Sequence, residues 1–204
     1  MKSLHFFFVS RQECFLNFYW RRNACWLLLI AILNLLGCVS QVVSVSPQAK
    51  ILKPKAVAIL PFDNDHQELI ANAVQAGVIR IGWLVIERSK IKAVLNESEM
   101  QAFLKSPNSS QSLNLVQKLL KADVIIIGKV TIFQQGRPVA LGGGNTMFGF
   151  TARAIEVSTG LTLWSVSVVD DGGMFSFWTN IQLHAIKRVD KVVDDLVKQG
   201  VGTN

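Results

Sequence analysis

The chain has 204 residues, a formal charge of +7 and a composition in which half of the residues are hydrophobic. That length supplies one domain with a single core and leaves no room for a second full domain. The positive charge is scattered and not interleaved with stacking aromatics, which excludes a nucleic-acid surface.

Arg21 and Arg22 precede an apolar run from Trp26 to Gly37. About a dozen residues fits the core of a signal peptide and falls short of the roughly 20 that span a bilayer as a helix. Gly37 then precedes Cys38, the order of a bacterial lipoprotein signal. In that reading the Cys38 thiol takes a diacylglycerol, cleavage follows Gly37, and Cys38 becomes the first, lipid-carrying residue. The alternatives are an uncleaved anchor helix, or a plain signal peptide in which Cys38 is incidental. The leader, residues 1–37, is long before Arg21 and includes Phe6, Phe7, Phe8 and Phe15, as expected if translation starts further downstream. It also carries Cys14 and Cys25, so the mature chain keeps Cys38 alone and has no disulfide or thiolate metal site. Losing Lys2, Arg11, Arg21, Arg22 and Glu13 lowers the charge by three, to +4.

Residues 38–54 read as a lipidated linker, rich in Val, Ser and Gln and without helical periodicity. Lys50 and Lys53 lie in it and Lys55 just after it, either in a tether near anionic headgroups or simply solvated. The domain is expected over residues 55–200. Ala56 to Leu60, stopped by Pro61, has the pattern of a strand buried on both faces. Asp65 and Glu68 stand at capping-box spacing before a helix carrying Leu69, Ile70, Ala73, Val74, Gly77 and Ile81. Trp83 to Ile86 predicts a second strand, and Ser89 a cap for a second helix with Ile91, Val94, Leu95 and Phe103 on one side, ending at Ser106-Pro107. A third helix carries Leu113, Val116, Leu119 and Leu120. Asp123 to Phe133 is the strongest strand pattern in the chain. Phe148 to Glu156 and Leu161 to Val169 predict an antiparallel pair joined by a tight turn at Val157 to Gly160. Thr179 to Gln199 predicts an amphipathic helix with Leu183, Ile186, Val189, Val193, Leu196 and Val197 toward the sheet. The fold class is therefore α/β, a single-domain sandwich of a mixed β-sheet with packed helices.

No catalytic constellation emerges. His5, His66 and His184 show no ligand spacing, and Asp170-Asp171 before two glycines reads as a turn, so no metal is expected. Gly142 to Gly144 precedes a strand and not a helix N-terminus, which fits a hairpin loop better than a phosphate cradle. The serines lack a nucleophile elbow with a nearby base. No cofactor and no small-molecule substrate is evident. Phe175, Phe177 and Trp178, in a segment flanked by glycines, are either a partner or membrane-interface surface or the core-facing end of a strand.

Four stretches in order resemble the curli-secretion lipoprotein family (CsgG-like). They are Val57-Ala58-Ile59-Leu60-Pro61-Phe62, Ile86-Glu87-Arg88-Ser89 leading to Leu95-Asn96-Glu97, Ala122 to Val130, and Arg153 to Gly160. With the lipobox, the resemblance covers nearly all of residues 38–200. It implies a CsgG-like periplasmic domain and structural roles for Glu87, Arg88, Asn96 and Glu97, with Arg88 bonding backbone carbonyls or a carboxylate at the strand end. Members that form a channel assemble into rings, insert two hairpins per subunit and narrow the pore with a long loop after the first strand. Here that loop is only about Phe62 to His66. The stretches between Phe133 and Phe148 and between Val169 and Thr179 are too short for hairpins of two strands of roughly 9 to 11 residues. The resemblance thus implies a compact, non-enzymatic lipoprotein of the outer membrane, facing the periplasm through its anchor on Cys38. Val39, not Asp, follows Cys38, which in enteric bacteria favours the outer membrane. Its role would be envelope assembly or transport, as a homo-oligomer or with an envelope protein partner. The alternative is a periplasmic lipoprotein that regulates a peptidoglycan synthase.

Overall fold

The computed structural model describes residues 39–94, 110–137, 144–172 and 179–202. The elements are β1 (Val39–Val45), α1 (Pro47–Ile51), β2 (Val57–Ile59), α2 (Leu69–Arg80), α3 (Arg88–Val94), α4 (Ser110–Leu120), β3 (Val124–Gln134), β4 (Met147–Glu156), β5 (Thr162–Asp170) and α5 (Ile181–Lys198). The strands form one sheet in the order β1-β5-β4-β3-β2. It is mixed as expected: β2 runs parallel to β3, and every other pair is antiparallel.

β2 and the first half of β3 are buried on both sides, because helices cover both faces of the sheet there. On one face Val57, Ile59, Val124 and Ile126 join Phe148, Phe150 and Trp164 against α2 and α5. On the other, Ala58, Leu60, Ile125 and Ile127 pack with Ile91 of α3 and Leu113 and Leu120 of α4. That second layer stops at β4. Beyond it Thr151, Ser165, Ser167, Val169, Ser40, Val42 and Ser44 leave the face exposed, which is why β5 alternates where β3 begins as a solid apolar run. The closing turn after β4 needs Gly160, whose φ of +72° suits a residue without a Cβ.

Several expectations are revised. Residues 39–54 are not an extended linker. Val39–Val45 pair along their whole length with β5, from Val39 opposite Asp170 to Val45 opposite Trp164, and Ser46 caps α1 through its hydroxyl. The strand expected at Trp83 to Ile86 shrinks to a single parallel bridge, Val85 to Val57. The capping box is only half made. Asp65 accepts from the amides of Ile70 at 3.1 Å and Ala71 at 2.8 Å across an intervening 3-10 turn, while the Glu68 carboxylate turns to Arg88. The carbonyl of Glu87, not Ser89, closes the first turn of α3. On α5 the buried stripe is Ala185, Val189, Val192, Val193 and Leu196, with Leu183 exposed.

Candidate functional site

Cys38 lies outside the described residues, and so do Asn96, Glu97, Phe175, Phe177 and Trp178. Among the described residues no helix is long and apolar enough to cross a membrane. Val39, which follows Cys38 in sequence, is the first residue of β1 and is paired opposite Asp170. Lys50, Lys53 and Lys55 come after that strand in sequence, Lys50 within α1 and the other two beyond it. All three are exposed.

Glu87 and Arg88 lie at the start of α3. Glu87 is exposed, whereas Arg88 is buried and donates from Nη1 to Asn72 Oδ1 at 2.7 Å, with Glu68 Oε2 at 3.2 Å. Arg88 thus ties the start of α2 to the start of α3. Glu68 reaches it from a left-handed backbone conformation, φ +56°, which places its carboxylate under the guanidinium.

A second charged cluster was not anticipated from the sequence. Asp170, the last residue of β5, has a fully buried side chain. Arg188 Nε is paired with its Oδ2, His184 Nε2 lies 2.8 Å from the same oxygen outside hydrogen-bond alignment, and the amide of Gly172 donates to Oδ1 at 2.8 Å. His184 and Arg188 are four residues apart and so share one face of α5. Two signals pointed here: Asp170 continues the inward phase of Val166 and Val168, and the His-Arg spacing is that of one helix face. Reading Asp170-Asp171 as a turn obscured both.

Beside this cluster Gln135 joins two chain connections. Its Nε2 donates to the carbonyl of Thr179 at 3.0 Å, and its Oε1 accepts from the amide of Ile181 at 3.0 Å. Asn180 caps α5 by accepting from the amides of Gln182 and Leu183. The cluster is a clamp that fixes the start of α5 to the ends of β3 and β5. It holds one carboxylate against two basic groups. No set of three His, Cys, Asp or Glu among the described residues could hold a metal.

The sequence model of the family described as curli production assembly/transport component CsgG matches residues 67–169. Among solved structures the chain is similar to the PelC dodecamer from Paraburkholderia phytofirmans, at 18% identity over 79% of this chain and 97% of that one, TM-score 0.47. It is similar to lipoprotein GNA1162 from Neisseria meningitidis, at 19% identity over 72% of this chain and 97% of that one, TM-score 0.46. The hypothetical protein CT253 from Chlamydia trachomatis is similar at 14% identity over 70% of this chain and 98% of that one, TM-score 0.39. Comparison with curated proteins gives no match.

Proposed function

This chain belongs to the family of the curli production assembly/transport component CsgG, and on that ground we propose that it is a non-enzymatic component of cell-envelope assembly or transport, anchored by lipid on Cys38. What supports the anchoring is the sequence order of Arg21 and Arg22, an apolar run and Gly37 before Cys38, with β1 beginning at the next residue, Val39. Acyl chains on Cys38 would act on the sheet itself and not on a flexible leash, so the domain would sit against the bilayer. Two or three chains suffice for stable attachment.

The described strands support a domain that does not span the membrane by itself. β3 ends at Gln134 and β4 begins at Met147, while β5 ends at Asp170 and α5 begins at Ile181. Residues 135–146 and 171–180 are each too few for two spanning strands and a turn. We place the protein at the outer membrane, facing the periplasm, working as a homo-oligomer or with an envelope partner.

A pulldown of the full chain from detergent-solubilised membranes tests this reading. Recovery of envelope transport or assembly components is expected. Recovery of a peptidoglycan synthase instead would replace it with the regulatory reading.

A further inference from the structure

We propose that β1 is a self-complementary edge through which two copies of this chain join their sheets. β1 is the outermost strand of the sheet and, among the described residues, pairs only on its β5 side. Native edge strands are normally blunted by proline, charge, a bulge or shortness. β1 has none of these: it is seven residues long, its register with β5 is unbroken, and Val39-Ser40-Gln41-Val42-Val43-Ser44-Val45 contains neither proline nor a charged residue. The opposite edge is protected in the ordinary way, since β2 is three residues long and is flanked by the bridge at Val85.

The occupant is a second copy because the strand reads nearly the same in both directions. Antiparallel pairing centred on Val42 sets Val39 of one copy opposite Val45 of the other, Ser40 opposite Ser44, Gln41 opposite Val43 and Val42 opposite itself. No charges oppose one another, so the like-charge repulsion that destabilises a cross-strand pair is absent from this ladder. This register also keeps faces matched. Ser40, Val42 and Ser44, exposed in one copy, meet the same exposed set in the other, with Val42 now 59% exposed. The helices of both copies then lie on one side of the joined sheet. Space exists for this on the helix side. A groove of about 490 Å³ runs between β1 and α5, lined by Val39, Gln41, Val43, Lys191, Asp195 and Lys198. Gln41 donates across it to Asp195 at 2.8 Å.

A seven-residue ladder buries less than the 1,200 Å² or more of a standard stable interface. Pairing is therefore weak in dilute solution and gains strength when both copies are confined to one membrane, which raises their effective concentration. The strength of the pairing, though not its geometry, thus rests on the proposed anchor at Cys38.

Cysteine cross-linking of the full chain in membranes tests it. Val42→Cys is expected to give a disulfide-linked dimer on mild oxidation, because paired strand residues lie about 4.5–5.5 Å apart at Cα, within disulfide reach. Ser40→Cys and Ser44→Cys alone should not cross-link, since each lies about 13 Å from its own copy in this register; co-expressed, they should cross-link to each other. Absence of the Val42→Cys dimer in the membrane fraction, or equal cross-linking of all three single variants, overturns the proposal. Failure of the anchor is read separately, from the mass of Cys38 and the fraction in which the protein is found. The Cys38→Ser/Val42→Cys chain, concentrated in solution, should still form the dimer, and a monomer there would also overturn the proposed pairing.

Discussion

Phe62 occupies the space that a side chain at position 128 would need: a Cβ on Gly128 would stand 2.5 Å from Phe62 Cδ2 and 2.6 Å from Phe62 Cζ. Gly128 sits in β3 beside the point where Asp63 bridges to Lys129, so this contact seals the core just past β2. Gly128→Ala is expected to cost about 1–3 kcal/mol, the usual range for overpacking. Urea denaturation should show a lower midpoint with an unchanged slope. Phe62→Ala in the same chain should remove the clash, so the double variant loses less than the sum of the two single changes.

Gly77 plays the corresponding part between α2 and α5. A Cβ there would collide with Val193 Cγ2 and come within 3.3 Å of Val193 Cβ. Gly77→Ala should destabilise the fold despite the higher helix propensity of alanine, and Val193→Ala should turn its effect toward neutral or favourable. Thermal melts of the two singles and the double check this. By contrast Arg80, half exposed beside Asp190 and Asp194, contributes little: Arg80→Ala should change stability by less than about 1 kcal/mol.

Asp170 anchors the clamp at the start of α5. Asp170→Asn keeps the shape but leaves Arg188 without its carboxylate, and loss of one partner of a buried pair costs on the order of 3 kcal/mol. Amide exchange should show faster opening of the first turns of α5 in this variant. Asp170→Leu combined with Arg188→Met removes both charges and should recover most of the loss. A double variant no more stable than Asp170→Asn would mean that the loss does not come from leaving Arg188 without its carboxylate.

The interior of the fold was legible because burial writes itself into sequence. Val57 to Leu60 and Val124 to Ile127 are solid apolar runs since helices cover both faces of the sheet there, and α5 shows a stripe because only one side of it meets the sheet. β1 was not legible. With one face in solvent and its partner β5 more than a hundred residues away, its mixture of Val, Ser and Gln is indistinguishable from a linker until the pairing is seen. The bridge at Val85 was overread for the opposite reason, since an apolar run need not form a ladder. In the charged clusters, Arg88 stood out only through the resemblance of Glu87-Arg88. The Asp170, His184 and Arg188 cluster depends on a strand end meeting a helix face, a relation no local pattern states.

Membrane fractionation of the wild-type chain beside Cys38→Ser, with intact mass of the purified wild type, tests whether lipid on Cys38 holds the protein at the membrane. Wild-type protein is expected in the membrane fraction with a diacylglycerol-derived mass on Cys38 as first residue, and Cys38→Ser in the soluble fraction. Cys38→Ser protein that stays membrane-bound through salt and carbonate washes, or wild type with Cys38 internal and unmodified, would contradict that anchoring.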